Sequence, residues 1–74
     1  MHNFENVSKA CLMIADELLN DPSEDAQSIV ALIDEAERDS DIKAGIQRAV
    51  EYLFLNGKQH IANVIKEKSK GFAF

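Results

Sequence analysis

Cysteine, proline and glycine are scarce in this 74-residue sequence, and each shortage restricts the fold. Cys11 is the only cysteine, so no disulfide can form within the chain. One proline and three glycines leave few natural interruptions of a helix. Alanine, leucine, isoleucine, glutamate and lysine supply nearly half of the residues, a composition typical of helices. The sequence therefore predicts an all-α fold, a small helical bundle that forms a single domain over residues 1–74.

Long apolar runs and a secretory leader are also missing. No apolar run approaches the roughly 20 residues that a membrane-spanning helix needs. The sequence starts Met-His-Asn-Phe-Glu-Asn, without the basic region and apolar run of a secretory signal. A single thiol fits a reducing compartment. We therefore expect a cytoplasmic protein that does not enter a membrane.

Two short helices are expected first, over residues 4–19 and 22–39, because apolar residues recur there at helical spacing. Between them, Asp21 is a candidate cap, Pro22 suits a first helical position, and Glu24 follows the cap by three residues. Such a short connection predicts an antiparallel hairpin. The stripe expected to be buried on the first helix comprises Phe4, Val7, Cys11, Ile14, Ala15 and Leu18, widened by Leu12 and Leu19.

One long helix is expected next, over residues 41–68. Gly57 resembles a helix C-terminus, but the apolar stripe continues in phase from Ile42 through Gly57 to Ile65. A helix of that length is about 42 Å long, whereas the hairpin helices reach only about 24–27 Å. Half of its apolar face would then be uncovered, beside a flexible apolar tail over residues 69–74. We therefore predict a homodimer with the long helix as its main seam.

Several residues of the third helix and the tail are candidates for that self-interface or for a partner's groove. They are Tyr52, Leu55, Ile61, Val64, Ile65, Phe72 and Phe74. Tyr52 and Leu55 fall away from the main stripe, and tyrosine is frequent at protein interfaces. The alternative is packing within the chain, beneath the hairpin for Tyr52 and Leu55 and against the core for the two phenylalanines.

Charge is divided between the two halves of the chain. Residues 1–41 hold 11 acidic and 2 basic side chains, whereas residues 42–74 hold 2 acidic and 6 basic ones. A positively charged surface on another protein would complement the acidic half. Simple solvation, or docking of one half on the other, are the alternatives. The predicted acidic docking face consists of Asp34, Glu35, Glu37, Asp39 and Asp41.

No set of residues has the pattern of a catalytic or metal centre. His2, His60 and Cys11 lack the spacing of metal ligands. The carboxylates around Asp21 lack the pattern of a calcium-binding loop. We therefore expect no enzymatic activity, no metal and no cofactor.

These observations predict a small acidic, non-enzymatic protein–protein interaction module of the bacterial or phage accessory type. It would dock on a larger protein with a basic surface and could inhibit that protein. The alternative is a dimeric DNA-associated transcriptional regulator that uses the basic C-terminal half. Its lysines would be Lys58, Lys66, Lys68 and Lys70. The acidic half argues against nucleic-acid binding, so the first hypothesis is preferred.

Overall fold

The computed structural model describes residues 4–74, and these residues contain four helices. They are α1 (Phe4–Leu18), α2 (Glu24–Asp34), α3 (Asp39–Leu55) and α4 (Gln59–Lys68). No strand occurs in these residues, which confirms the all-α prediction. α3 packs against α2 and α4, and α1 closes the bundle by packing against the same two helices. None of the four helices has the length and apolarity needed to cross a membrane.

α2 is shorter at both ends than the sequence predicted. Its N-cap is Ser23, whose Oγ accepts a hydrogen bond from Ala26 N at 3.1 Å. Asp21, the predicted cap, instead accepts a bond from Ser23 N at 3.0 Å and closes a turn before the helix. At the other end, α2 stops at Asp34 rather than near Asp39. Carboxylates in this stretch oppose the helix dipole, which is one physical reason for the early end.

The chain turns between α3 and α4, so the single long helix predicted over residues 41–68 is not observed. Gly57 lies at this turn with a φ of +81°, a conformation that glycine adopts at little cost. Lys58 N donates to Leu53 O at 2.9 Å, and Gly57 N donates to Phe54 O at 3.2 Å. This pair of bonds is a Schellman motif, which ends a helix. The local C-terminus signal was therefore correct, and the continuous phase of the stripe was misleading.

The apolar stripe keeps one helical phase through Gly57 although the helix ends there. This was misleading because α3 and α4 each bury their part of the stripe, but against different helices. Leu53 of α3 and both Ala62 and Ile65 of α4 are buried. α4 folds back onto α3 and α1, so the second half of the stripe is covered within the chain. The homodimer prediction thereby loses the uncovered long-helix face on which it was based.

Gly45 allows α2 and α3 to approach each other closely. A side chain at this position would overlap Ile33 Cγ1 and would lie 3.2 Å from Ile33 Cδ1. Both residues sit near the end of α2 at which the predicted acidic face begins. This contact therefore fixes the C-terminal end of α2 against the start of α3.

The segment after α4, predicted as a flexible tail, is held against the bundle. Gly71 turns the chain with a φ of +88°, and Gly71 N donates to Phe74 O at 3.1 Å. Gln47 Nε2 of α3 donates to Ala73 O at 2.6 Å. The backbone of this segment therefore has defined partners.

Phe72 and Phe74 have different environments in that segment. Phe72 is 4% exposed and belongs to the hydrophobic core, and Lys43 Nζ lies 5.6 Å from the centre of its ring. Phe74 is 44% exposed, and Lys66 Nζ lies 5.5 Å from its ring centre. Of the alternatives that the sequence left open, packing against the chain's own core therefore applies to Phe72.

Candidate functional site

An open, largely apolar groove runs along α1 and α2. Its first part, of about 480 Å³, lies between α1, α2, the start of α3 and Phe72. A second part, of about 370 Å³, continues between α1 and α2 and shares Ala15, Val30 and Asp34 with the first. Together they are termed the α1–α2 groove. Its further apolar lining includes Phe4, Cys11, Leu12, Leu19, Ala31 and Ile33.

α1 leaves an apolar edge along this groove because its apolar residues cover more than one helix face. Ile14 and Leu18 point into the core, whereas Phe4, Leu12 and Leu19 are 62%, 70% and 74% exposed. At 100° per residue these three fall within about 80° of one another on the helical wheel. Large apolar side chains that are exposed together usually mark an interaction surface. This edge is the strongest candidate site in residues 4–74.

Four carboxylates occur between the last residue of α2 and the first residue of α3 and are termed the acidic cluster. They are Asp34, Glu35, Glu37 and Asp39. Asp34 and Asp39 line the first part of the groove, and Glu35 lines the second. All four are exposed, and none forms an ion pair within residues 4–74. Nor do any three acidic, histidine or cysteine side chains of these residues group to hold a metal ion.

The fifth residue of the predicted acidic face, Asp41, differs from the cluster. It is partly buried, and its Oδ2 lies 3.6 Å from Arg38 Nε. Its charge is therefore offset by a neighbour on the same turn. Of the five predicted carboxylates, Asp34, Glu35 and Asp39 line the groove, whereas Glu37 is exposed and does not line it.

Folding does not explain the position of Asp34 and Glu35. They lie at the C-terminal end of α2, whose last turn carries no basic residue, so both charges oppose the helix dipole. Charges at such positions cost about 0.3–1 kcal/mol when exposed at low ionic strength. Asp39, in contrast, lies in the first turn of α3, where negative charge is favourable. Negative charge that weakens its own helix favours a role in binding.

Cys11 lies on the wall of the groove and is partly buried. Burial raises the pKa of its thiol, so the side chain is protonated and weakly nucleophilic at neutral pH. It therefore contributes apolar surface rather than reactivity. As the only cysteine in the sequence, it also provides a natural reporter of groove occupancy.

Tyr52 attaches the loop between α1 and α2 to α3. Its hydroxyl donates to Asp21 Oδ2 at 2.6 Å and lies 2.7 Å from Ser23 Oγ. The bond from Tyr52, together with the backbone bond from Ser23, lowers the pKa of Asp21. The same Tyr52–Asp21 bond raises the pKa of Tyr52. Nearby, Lys58 Nζ lies 3.1 Å from Glu17 Oε1 and ties α1 to the α3–α4 turn.

Replacing Tyr52 with Phe should lower the free energy of unfolding at neutral pH, because Asp21 and Ser23 each lose a partner. The raised pKa of Tyr52 favours its protonated form in the folded state. Its contribution is therefore complete below its ordinary value of 10.0 and is lost as pH rises through the higher folded value. The lowered pKa of Asp21 contributes above its ordinary 3.8 and is lost as pH falls through the lower folded value.

Urea unfolding of the wild type and Tyr52→Phe checks this across the pH range. The difference in unfolding free energy between the two proteins should be largest near neutrality and should shrink both above pH 10.0 and below pH 3.8. A difference that stays constant with pH would contradict the proposed bonds.

The other predicted interface residues are divided between the core and the surface. Wholly or partly inside the bundle lie Ile61, Val64, Ile65 and Phe72. Leu55 is exposed, as is Phe74, but neither lines the α1–α2 groove. Tyr52 is engaged within the chain, so the predicted set does not form one continuous apolar surface on this fold.

The lysines of the DNA-binding alternative are divided between the two ends of α4. Lys58 precedes α4 and is paired with Glu17, whereas Lys66 and Lys70 lie near Phe74 at the other end of the helix. α4 has 10 residues and is therefore about 15 Å long. Lys68, the last residue of α4, is partly buried and lies at the same end as Lys66 and Lys70. Three of the four lysines therefore share one end of α4, and Lys58 lies apart from them.

The exposed edge of the groove was missed in the sequence because Phe4 and Leu12 were assigned to the buried stripe of helix one. The available signal was the excess width of that stripe, which Leu12 and Leu19 extended beyond one helix face. Ala10, which is fully buried, was not assigned to the stripe. The small residue packs inward, and the large leucines remain outside.

A comparison with protein-family models, curated proteins and solved structures finds no match to this chain. The physical features alone therefore define the class: a small all-α bundle with an apolar groove that is lined in part by exposed carboxylates.

Proposed function

We propose that this protein is a non-enzymatic interaction module that docks on a larger protein through the α1–α2 groove and the acidic cluster. The observation that carries this proposal is the exposed apolar edge along α1 lying beside carboxylates that form no ion pair within residues 4–74. Docking would inhibit the larger protein where the covered surface is one that it needs. A cytoplasmic, bacterial or phage accessory role fits the small size and the single thiol.

A partner with a basic surface is favoured over a second copy of the chain. Residues 1–41 carry a net charge of −9, from 11 acidic and 2 basic side chains, so two such faces repel each other. A symmetric homodimer places the same patch on both subunits, which would bring the acidic clusters together. The same charge disfavours nucleic acid at this surface. Homodimerisation, predicted from the sequence, would therefore have to use another face.

Changing both Asp34 and Glu35 to lysine should weaken partner binding without harming the fold. Binding should fall about tenfold or more at low salt, because two attractive charges become repulsive toward a basic surface. The free energy of unfolding should rise by about 0.5–1 kcal/mol, because the new cations suit the end of α2. Weaker binding together with a higher free energy of unfolding would show that Asp34 and Glu35 serve binding rather than the stability of the fold.

The matched control carries Glu51→Lys and Glu67→Lys, two exposed residues that lie outside the groove. It changes the net charge by the same amount. The wild-type chain, the variant with Asp34 and Glu35 changed to lysine, and the control are each immobilised. They are compared for the capture of proteins from the cells that express the chain. The captured protein is then purified and titrated against each. Equal loss of binding in the reversed and control chains would contradict docking at the acidic cluster.

A further inference from the structure

We propose that the occupant of the α1–α2 groove is an amphipathic helix of the partner protein, with lysines or arginines along one flank. This inference rests on the proposed function and specifies the chemistry of the partner segment. The apolar side of the helix would cover Leu12 of α1 and Leu19 directly after α1, together with Val30 and Ala31 of α2. Its cationic flank would lie against the acidic cluster.

The form of the groove favours a helix over an extended peptide. Residues 4–74 contain no strand, so they offer no open sheet edge on which an extended segment could pair. A furrow between two antiparallel helices accepts a third helix through apolar residues spaced three and four apart. α1 has 15 residues and is about 22 Å long, which matches a docked helix of about 15 residues.

The charge along the groove is one-sided. Asp34, Glu35 and Asp39 lie on the α2 and α3 side. On α1, the acidic Glu5 is paired with Lys9, with Oε1 and Nζ 3.4 Å apart. A bound helix would therefore need its cations on the flank that faces α2, which gives the interaction an orientation as well as a charge preference.

A second copy of this chain cannot supply such a helix while folded. α4 is the one helix of residues 4–74 with a net positive charge. Its apolar residues Ala62 and Ile65 are buried against the chain's own bundle. Presenting them to a neighbouring groove would require α4 to leave α1 and α3. The cationic amphipathic helix therefore belongs to a different protein.

The probe is a synthetic 15-residue peptide of leucine and lysine, with the leucines on one helical face. The first control has the same composition in an order that does not segregate the two residues. The second replaces every lysine with glutamate. The readout is the rate at which Cys11 reacts with a small neutral disulfide reagent, since Cys11 lines the groove and is the only thiol.

The amphipathic peptide should slow the reaction of Cys11 at least tenfold at saturation, and added salt should weaken its binding. The scrambled peptide should bind at least tenfold more weakly, and the glutamate peptide should not bind. Leu12→Glu should abolish protection, whereas Leu55→Glu, at an equally exposed position outside the groove, should leave it unchanged. Backbone amide shifts should map to α1 and α2.

Equal binding of the amphipathic and scrambled peptides, or shifts confined to α4, would overturn the helix-binding inference. Failure of the peptide while the reversed Asp34 and Glu35 chain still loses its cellular partner would overturn this inference and leave the proposed function standing. Protection by the peptide, with cellular capture insensitive to the charge reversal, would support the helix-binding groove and contradict the proposed function.

Discussion

Phe72→Ala should remove about 3–5 kcal/mol of unfolding free energy, the usual cost of truncating a buried phenylalanine. Phe72 is 4% exposed, belongs to the core, and anchors the segment that follows α4. A chain of 74 residues has a total stability of about 4–11 kcal/mol on the usual scale per residue. The loss would therefore be a large share of the whole, and the urea concentration at the midpoint of unfolding should fall markedly.

Phe74→Ala is the matched control, two residues along the same segment. Phe74 is 44% exposed and contacts Lys66 at the surface, so its truncation should cost less than about 1 kcal/mol. Urea unfolding followed by circular dichroism compares both variants with the wild type. Similar effects at the two positions would contradict the packed C-terminal segment.

Gly57→Ala should destabilise the folded monomer and promote a dimer that exchanges α4 between two chains. The φ of +81° at Gly57 costs an alanine about 1–2 kcal/mol, although there is open space around the position. A continuous helix through residue 57 relieves that strain, because the apolar stripes of α3 and α4 are in phase. α4 would then make its contacts with α1 of a second chain, as in domain swapping.

Gly71→Ala provides the control for this second prediction. Gly71 has a similar φ of +88° and open surroundings, but no helix follows it. Its replacement should cost a similar 1–2 kcal/mol and leave the oligomeric state as it is in the wild type. Light scattering over a range of protein concentrations distinguishes the two variants. Dimers in both, or in neither, would show that the turn at Gly57 does not control exchange of α4.

The sequence was sufficient for the class of fold, because the formation of helices depends on local signals. Helical periodicity located α1, and the short connection after it contained the side chains that start α2. The sequence alone could not show that Ser23 rather than Asp21 caps α2, since both residue types suit the position. Tertiary contact decided it, because Asp21 is also held by Tyr52 of α3.

The turn between α3 and α4 could not be predicted from the sequence, and the reason is physical. A turn at Gly57 and a continuous helix bury the same residues, so periodicity cannot distinguish them. The difference lies in which helix covers Ile65, and that depends on contacts between segments far apart in the chain. The docking role of the acidic face stays a prediction, and the pairing of Asp41 with Arg38 was not anticipated from the sequence. Predicting the groove beside these carboxylates would have required knowledge of which side of α1 is covered by other helices.

The groove and the stability of the bundle make opposing demands on the same residues. Leu12 and Leu19 would be better replaced by polar residues if α1 had only to fold, since both are largely exposed. Asp34 and Glu35 weaken the end of their own helix. Departures of this kind from folding rules, concentrated on one surface, are characteristic of a binding site.

Photo-crosslinking from inside the groove tests the central claim most directly. The photoreactive residue p-benzoylphenylalanine is placed at position 12 in one chain and at position 55 in another, in place of equally exposed leucines. Both chains are irradiated in the cells that express them. We predict an adduct with a different protein from position 12, lost when Asp34 and Glu35 are changed to lysine, and no comparable adduct from position 55. An adduct only from position 55, or one of twice the 8.3 kDa chain mass from position 12, would contradict the account.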